Sequence, residues 1–387
     1  MTPGARVAAA IEILDDILSG VVPEKALTGW GRSHRFAGSK DRAAIRDHVF
    51  TALRRRASFA WLGGAETGRG IMLGAMRHAG LADEMFNGEG HAPEVVQEVE
   101  QGQALAAAPR AVRYDMPDWL LAHFDDALGA NADDVLSQLQ TRAGVFLRVN
   151  AARTTVADAQ ASLNNDGIVT QPIKDMSYAF QVLENERRVA QSAAYLSGLV
   201  ELQDTSSQVA IDALGLSKEV SVLDYCAGGG GKSLAMAAHG AAVSAHDINP
   251  RRMVDIEPRA TRAGVKITTI GTEALKNAAP FDLVLCDAPC SGSGTWRRTP
   301  AAKWDLTEGR LTELTNMQDD VLRKASGLVR SGGTLAYATC SVFEIENEAR
   351  IQSFMDEVSG FEILTTLVIE PHSQGDGFYL TQLKRIN

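Results

Sequence analysis

Apolar residues near the start of the chain recur with the spacing of amphipathic helices. The first set comprises Val7, Ala10, Ile11, Leu14, Ile17 and Leu18. Ile45, Val49 and Leu53 repeat the spacing, so the pattern predicts an N-terminal helical bundle over residues 1–85. No Lys or Arg lies between Arg77 and Arg110, whereas Gly, Pro and acidic residues do, and this composition predicts a linker over residues 86–115.

Residues 116–200 mix helical and strand-like patterns. PDWLLAHFDDAL predicts a helix that begins near Pro117, and VFLRVN (145–150) predicts a strand. A helical stretch from Val156 to Leu163 and a strand near AFQVL (179–183) complete what we interpret as a small βαβ unit. We therefore expect a small α+β subdomain over 116–200.

From about residue 200, apolar strands alternate with helices. The strands are SVLDYC (221–226), AVSAHDI (242–248), KITTIG (266–271), FDLVLCDA (281–288), GTLAYATC (333–340) and GFYLTQLKR (377–385). This alternation predicts an α/β fold for residues 201–387, with a Rossmann-like, doubly wound and mostly parallel sheet. Ligands of such sheets bind at the carboxyl ends of the strands.

Composition narrows the class of protein. The chain has 387 residues, 45% of them hydrophobic, without an apolar run long enough to cross a bilayer or a secretory signal at its start, so we expect a cytoplasmic protein and no membrane partner. The four cysteines lack zinc spacing, so free thiols and no metal are expected. A net charge of −10 argues against nucleic-acid binding, but Arg32 to Arg56 contains eight Lys or Arg. This segment is either a solvated helix face or a phosphate-contacting patch.

The stretch DYCAGGGGKS (224–233) places four glycines directly after a strand. A Walker A loop would need glycine at Cys226, and Asp224 would repel a triphosphate. Asp247 ends the next strand, where an acidic residue typically accepts ribose hydroxyls, so a nucleoside ligand fits. NAD remains possible, but S-adenosyl-L-methionine fits better because it lacks phosphates and its positive charge would be attracted to Asp224.

Two other strand ends carry thiols. DAPCSGSGTWRR places Asp287 and Cys290 just after a strand, and ATCS places Cys340 at the end of another. Because strand ends of one sheet converge, these groups should face the same cleft as the ligand. Cys286, and Cys226 with it, fit the pattern of small buried hydrophobic residues.

Together these motifs resemble a known family. DYCAGGGGK, AHDIN, DAPCSGSG with RRTPAAKW, and YATCSVFEIENE, in that order, closely resemble the NOL1/NOP2/Sun family of RNA 5-methylcytosine methyltransferases, in particular the bacterial 16S ribosomal RNA enzymes of the Sun/Fmu (RsmB-like) type. The segment RFAGSKDRAAIRD resembles the NusB-like RNA-binding domain of those enzymes. Two positions depart from the family: Gly228 and Gly229 replace Ala and Pro, and Thr272 replaces an Asp that contacts adenine.

The resemblance implies roles for named residues. Cys340 would be the nucleophile that attacks cytosine C6, Cys290 would assist release of the methylated RNA, Asp287 would hold or protonate the N3 edge, and Lys232 would position the base or the thiolate. The cofactor would be bound by Asp224, Cys226, Ala227, Gly228, Gly229, Gly230, Gly231, Lys232, Asp247, Arg252, Thr272 and Asp287. RNA, most of all 16S ribosomal RNA, would be contacted by Arg54, Arg55, Arg56, Arg297, Arg298 and Lys303. We expect a monomer.

Two alternatives stay open at this point. A Rossmann oxidoreductase that uses NAD would share the fold but would give Cys290 and Cys340 no joint role. A non-catalytic RNA-binding assembly factor would keep the fold without the activity, although both cysteines and Asp287 are present.

Overall fold

The computed structural model describes residues 1–278 and 280–386 and divides into two compact units. The first consists of Met1–Arg142 together with Trp296–Asp305, and the second of Ala143–Thr295 together with Leu306–Asn387. None of the helices in the described ranges is long and apolar enough to span a bilayer.

The first unit is helical, as the N-terminal periodicity predicts. Its α-helices are α1 (Pro3–Leu18), α2 (Pro23–Ser33), α3 (Ser39–Arg54), α4 (Arg56–Gly63), α5 (Gly68–His78), α6 (Ala82–Met85), α7 (Arg110–Arg113), α8 (Leu121–Leu128), α9 (Ala132–Leu139) and, from the later segment, α16 (Ala302–Asp305). Short 3-10 helices cover Leu105–Ala107, Asp118–Leu120 and Gly129–Asn131. Ile13, Leu14, Ile45 and Val49 lie at the centre of the core, each at most 1% exposed. This all-helical region agrees with the predicted NusB-like domain.

Residues 86–115 are packed on the helical unit rather than free of it. The backbone N–H of Gln103 donates to Trp61 O, and the Arg77 guanidinium donates to Glu100 O at 2.7 Å. Arg69 forms an ion pair with Glu100 at 2.6 Å. The segment has the Gly and Pro content of a linker because its backbone is irregular, but its hydrogen bonds attach it to α4 and α5. The helices after Pro117 also pack in this compact unit, which extends to Arg142, while the predicted domain bounds stay a prediction.

A four-stranded antiparallel sheet opens the second unit. Its strands are β1 (Val145–Val149), β2 (Val169–Pro172), β3 (Ala179–Glu184) and β4 (Val200–Leu202), in the order β2-β3-β1-β4, with helices α10 (Val156–Asn165) and α11 (Ala193–Leu196) and a 3-10 helix over Glu186–Gln191. The predicted βαβ unit is wrong in its connection, because α10 leads to β2, and β3 then returns antiparallel to β1. The sequence pattern missed β2 because three of its four residues are exposed.

The larger sheet has seven strands: β5 (Ser221–Asp224), β6 (Ala242–Ala245), β7 (Ile267–Thr269), β8 (Phe281–Asp287), β9 (Val329–Thr339), β10 (Phe361–Ile369) and β11 (Phe378–Arg385). The helices are α12 (Thr205–Ala213), α13 (Gly231–Ala238), α14 (Ile256–Ala263), α15 (Thr272–Leu275), α17 (Glu308–Ser326) and α18 (Glu348–Glu357), with 3-10 turns at Pro250–Met253, Ser293–Thr295 and Glu344–Glu346.

The strand order of this sheet, β10-β11-β9-β8-β5-β6-β7, confirms the predicted fold class. Strands β5 to β9 pair in parallel, and only β11 and β10 run antiparallel to their neighbours. The chain moves outward in opposite directions from β5 and β8, and such a reversal opens a crevice at the carboxyl ends of those strands. Strand β10 was not predicted, because it is an edge strand with mostly exposed side chains.

Candidate active site

A cavity of about 840 Å³ lies at the carboxyl ends of β5, β6, β8 and β9. The predicted site residues that line it are Cys226, Ala227, Gly228, Gly229, Gly231, Lys232, Asp247, Arg252, Asp287, Cys290 and Cys340. Asp224, Gly230 and Thr272, which are all described, are not among the lining residues. The structure therefore brings most of the predicted cofactor and catalytic residues to one cavity of the second unit.

The glycine run forms the turn between β5 and α13. Gly228 and Gly230 have φ values of +50° and +79°, in the left-handed region that residues with a side chain rarely adopt. A Cβ at Gly230 would also lie 2.8 Å from the Ile256 side chain. Glycine at these two positions is thus required by the turn, and the turn exposes backbone to the cavity without side chains in the way.

Asp247 is held in place at the end of β6 by the backbone of two loops. Its carboxylate accepts from Gly228 N at 3.0 Å and from Asn249 N at 2.9 Å, and Arg252 lies 3.1 Å away. The side chain is only 2% exposed but still lines the cavity. This geometry orients a carboxylate towards the ligand space, as ribose recognition requires.

Asp224 is more deeply placed than the sequence suggested. It is 1% exposed, and its Oδ2 accepts a hydrogen bond from the Ser233 hydroxyl at 2.6 Å, while Oδ1 has no hydrogen-bond partner among the described residues. Burial raises the pKa of Asp224 to about 7, against the effect of the Ser233 hydrogen bond. A cationic ligand group near Oδ1 would satisfy this atom and favour the carboxylate form.

Lys232 and Asp287 form an ion pair at the start of α13 and the end of β8. Lys232 Nζ lies 2.7 Å from Asp287 Oδ2 and 5.0 Å from the centre of the Phe378 ring. Burial lowers the pKa of Lys232, but the charge and hydrogen bond of Asp287 outweigh it and leave that pKa raised. The lysine is therefore a fixed positive charge in the wall of the cavity.

Cys290 and Cys340 meet across the loops that follow β8 and β9. Their Sγ atoms lie 3.4 Å apart, a hydrogen-bond distance for sulfur. The hydrogen bond from Cys290 lowers the pKa of Cys340, and Lys232 acts in the same direction against burial and Asp287. That hydrogen bond and burial raise the pKa of Cys290 well above its usual value. Cys340 is thus the thiol that ionises first, and a thiolate is the reactive form.

Gly292 lies close to the sulfur atom of Cys340. It has a φ of +72°, and a Cβ there would lie 4.0 Å from Cys340 Sγ, in van der Waals contact. Glycine therefore allows the loop to turn and leaves one side of the sulfur open. By contrast, burial raises the pKa of both Cys226 and Cys286. Cys286 is fully buried, as predicted, whereas Cys226 is half-buried and lines the cavity.

Thr272 does not line the cavity, but His246, which contacts it, does. Its hydroxyl lies 3.1 Å from His246 Nε2, and it is His246 that lines the cavity, with Tyr225 beside it at a ring separation of 4.9 Å. His246 Nδ1 lies 2.8 Å from Tyr225 O, a carbonyl that can only accept, so Nδ1 carries the proton. We did not single out His246 or Tyr225 from the sequence, because a His between an apolar strand and Asp247 matches no ligand motif.

Helix α17 supplies a wall of the cavity that the sequence analysis also missed. The wall residues are Arg310, Leu314, Met317, Val321 and Lys324, together with Asp320, which is next to Val321. They recur every three or four positions, so they lie on one helical face, and Met317 remains 43% exposed. The signal was present in the periodicity, but the cavity-facing side of a helix cannot be told from its core-facing side by spacing alone.

The residues predicted to bind RNA lie in the first unit, and several are buried. Arg297 and Lys303 are each 1% exposed, and Lys303 Nζ donates to Arg54 O at 3.0 Å. Arg54 is 9% exposed and donates to Arg297 O at 2.6 Å. These three side chains are therefore buried in the unit, and the hydrogen bonds of Arg54 and Lys303 attach the inserted segment Trp296–Asp305 to α3, while an RNA role for the three residues stays a prediction.

The remaining basic residues are more accessible. Arg298 is exposed, and Arg55 and Arg56 are half-buried. Arg55 lies 2.9 Å from His78 Nε2, and Arg56 pairs with Glu66 at 2.8 Å. An RNA role for these three residues stays a prediction.

Comparison with known proteins shows which family the chain belongs to. A family model for the 16S rRNA methyltransferase RsmB/F matches residues 211–384, and a model for the ferredoxin-like domain of RsmF/B-like methyltransferases matches residues 116–190. Ribosomal RNA small subunit methyltransferase B of Escherichia coli O6:K15:H31 (strain 536 / UPEC) is 32% identical over 286 residues, 70% of this chain and 66% of the relative. The same-named protein of Serratia proteamaculans (strain 568) is 30% identical over 292 residues, 72% of this chain and 68% of the relative. The chain belongs to the RsmB/F family of methyltransferases.

Solved structures agree on the fold. The crystal structure of PH0851 has a TM-score of 0.75 at 21% identity and covers 99% of both chains. NSun6 from Pyrococcus horikoshii with SFG has a TM-score of 0.62 at 16% identity, covering 70% of this chain and 98% of that one. At these identities the likeness shows the fold alone. The alignment with the first relative spans about two thirds of that protein's length, so whole-protein activity is a proposal here.

The residues present fit the cofactor of the family. Membership of this methyltransferase family confirms the prediction of S-adenosyl-L-methionine. At the cavity wall, Asp247 faces the ligand space and the glycine turn leaves room for a close approach. Asp224, which is buried and does not line the cavity, has an Oδ1 atom without a hydrogen-bond partner among the described residues. The family also leaves no support for the NAD-dependent oxidoreductase considered from the sequence.

Proposed function

We propose that this protein methylates C5 of a cytosine in RNA, most specifically in 16S ribosomal RNA, through a covalent bond between Cys340 and C6 of the base. The observation that best supports this proposal is the 3.4 Å distance between the sulfur atoms of Cys290 and Cys340 in the wall of a cavity suited to the methyl donor. The ribosomal RNA substrate is inferred from the relatives, and it fits the cytoplasmic location predicted from the sequence.

Cytosine C5 needs activation before it can accept a methyl group. The Cys340 thiolate adds to C6, forming a C–S bond, and the ring π electrons move towards N3 and make C5 nucleophilic. S-adenosyl-L-methionine supplies the electrophilic methyl group. Once C5 has gained the methyl group, its proton passes to a water molecule and the electron pair of the C5–H bond forms the C5=C6 double bond again. The C6–S bond breaks in this step, and Cys340 recovers its electron pair as a thiolate.

The other residues of the site have distinct roles in this proposal. Lys232 favours the thiolate of Cys340 because it places a positive charge nearby. Asp287, fixed by Lys232, holds or protonates the N3 edge of the base where negative charge develops; in the second case its carboxylate first takes up a proton and gives up the ion pair with Lys232. Cys290, whose thiol stays protonated, assists release of the methylated base. The target base must leave its stack to reach the cavity, so single-stranded or locally opened RNA is the expected substrate.

Single cysteine variants test the covalent step. Cys340→Ala should abolish both methyl transfer and any protein–RNA adduct, because C5 is never activated. Cys290→Ala should still permit attack and methylation but should retain the RNA in a denaturant-resistant complex that migrates slowly on a gel. The measurement is transfer of labelled methyl groups to 16S ribosomal RNA together with gel analysis, and reactions without cofactor serve as the control.

The opposite outcomes are informative. An adduct that accumulates with Cys340→Ala and not with Cys290→Ala would show that Cys290 is the nucleophile and Cys340 the thiol that assists release. Activity of both variants without any adduct would refute the covalent mechanism. RNA binding by the wild type without cofactor binding or methyl transfer would favour a non-catalytic assembly factor instead.

A further inference from the structure

Glu346 is a fully buried carboxylate that the proposed reaction does not use. It is 0% exposed and ends the 3-10 turn Glu344–Glu346, six residues after Cys340. A buried charge is costly unless hydrogen bonds compensate it, so its surroundings indicate what it does.

The Glu346 carboxylate joins the two loops that carry the cysteines. It accepts from Ser291 N at 2.8 Å and from the Ser291 hydroxyl, and Ser291 directly follows Cys290. It also accepts from the hydroxyl of Ser341, which directly follows Cys340. Gln318 of α17 donates to the carboxylate at 3.0 Å and to Pro289 O at 2.9 Å. Each cysteine is thus one residue away from a group bound to the same carboxylate.

The neighbouring hydroxyls are oriented for an anionic acceptor. Ser341 Oγ accepts from Phe343 N at 3.0 Å, and Ser293 Oγ, 2.9 Å away, accepts from Val342 N. With their lone pairs used in this way, Ser293 donates to Ser341, and Ser341 donates to Glu346. All four donors to the carboxylate are neutral groups, so its negative charge remains in the interior beside the thiols.

Glu346 and Lys232 carry opposite charges and shift the thiol pKa values in opposite directions. Hydrogen bonding to Cys340 and burial raise the pKa of Cys290, and the Glu346 charge raises it further. Lys232 acts on Cys340 instead and lowers the pKa of that thiol. A negative charge on the Cys290 side and a positive charge on the Cys340 side therefore favour one of the two possible proton positions in the pair.

We propose that Glu346 is a positioning residue that holds Cys290 as the protonated partner at hydrogen-bond distance from Cys340, so that Cys340 is the sulfur that ionises. The inference rests on the proposed function for the roles of the two cysteines. It concerns which thiol is reactive, a property that can be measured without RNA or cofactor.

Alkylation of the full chain tests it. The protein is treated briefly with iodoacetamide across pH 6 to 10, and labelling of Cys290 and Cys340 is quantified by mass spectrometry of peptides. In the wild type Cys340 should label first. In Glu346→Gln the ratio of Cys340 to Cys290 labelling near neutral pH should fall about tenfold, which corresponds to a change of one unit in the difference between the two thiol pKa values.

Matched variants separate charge from scaffolding. Glu346→Asp keeps the charge and should retain most of the preference for Cys340. Glu344→Gln removes a charge from an exposed position two residues away and should leave the ratio as in the wild type. A purely structural role would change the melting temperature of Glu346→Gln but not which thiol reacts.

A second variant keeps the inference testable if Glu346→Gln does not fold. Ser291→Ala combined with Ser341→Ala retains the carboxylate but removes one hydroxyl link to each loop, so the labelling ratio should fall by a smaller factor. An unchanged ratio in a folded Glu346→Gln, or in the double variant where the former is unfolded, would overturn the proposal. Because the assay contains no RNA, absence of methyl transfer would count against the proposed function and leave this result intact.

Discussion

Lys232 and Lys303 are both largely shielded from solvent, but their surroundings differ. Lys232, in the second unit, faces a carboxylate at 2.7 Å and lines a cavity. Lys303, in the first unit, is 1% exposed and donates to a backbone carbonyl. Burial lowers the pKa of Lys303 to about 8, although Asp115 opposes this, whereas Asp287 leaves the pKa of Lys232 raised.

This difference separates a functional charge from a structural one. Both lysines lie in motifs that resemble the same family. From the sequence, Lys232 was expected to act in the reaction and Lys303 to contact RNA. In the structure, only Lys232 combines a fixed charge with access to a cavity, whereas Lys303 has its charged end among backbone groups of its own unit. Burial alone does not mark a site; a charge partner and an accessible cavity do.

The comparison predicts that removing Lys232 affects activity most. Lys232→Met should lower the rate of methyl transfer roughly 100-fold or more, because the Cys340 thiolate loses its positive neighbour and Asp287 loses its partner. Single-turnover transfer of labelled methyl groups measures the rate. Lys276→Met, at a lysine whose side chain is 65% exposed, is the matched control and should be as active as the wild type. Wild-type activity of Lys232→Met would remove this lysine from the chemistry.

The second prediction concerns the buried network around Lys303. Asp115, 0% exposed, accepts from Ser58 N at 2.7 Å, the Ser58 hydroxyl at 2.8 Å and Gln140 Nε2 at 2.6 Å. Asp115→Ala should lower the free energy of unfolding of the first unit by about 3 kcal/mol, because these donors and the nearby Lys303 charge lose their partner. Denaturant unfolding measures the change.

Two variants calibrate that loss. Asp115→Asn keeps an acceptor and suits the φ of +54° at this position, so it should be destabilised less than Asp115→Ala. Asp126→Ala, at an exposed position of α8, should be close to the wild type. Equal stability of all three variants would show that the network is not important for the fold.

From the sequence, we could predict which residues share the cavity when they lie at the ends of strands. The glycine turn, Asp247, Asp287 and the two cysteines all directly follow strands of a parallel sheet, and such ends must converge. The sequence could not reveal that Arg297 and Lys303 are buried, because a basic loop segment and a buried polar segment have the same composition. Their hydrogen bonds join residues about 250 positions apart in the chain, and no local pattern encodes such a pairing.

The same limit applies to Glu346 and to the His246–Thr272 pair. Glu346 was quoted within a motif but received no role, because its partners Ser291 and Gln318 come from other segments. Thr272 was identified as a departure from the family, but its contact with His246 requires the residue that follows β6 to lie beside the start of α15. Strand-end logic predicts which residues share a cavity, but not which of them contact each other.

The last expected effect, which is small per pH unit, is a pH dependence that belongs to Lys303 alone. The folded-state pKa of Lys303 is about 8 and the ordinary value is 10.5, so between these values the unfolded chain binds a proton that the folded chain does not. Stability should therefore rise with pH from about 8 to 10.5, by at most about 1.4 kcal/mol per pH unit, and should be independent of this group below pH 8.

Lys303→Met removes the titrating group, so the difference in unfolding free energy between wild type and variant should grow in favour of the wild type across this window. Lys276→Met, whose lysine is exposed, should show no such trend relative to the wild type. A difference between wild type and Lys303→Met that stays constant from pH 7 to 10 would mean that Lys303 is not held in a dehydrated environment, and the contrast with Lys232 would then rest on the cavity alone.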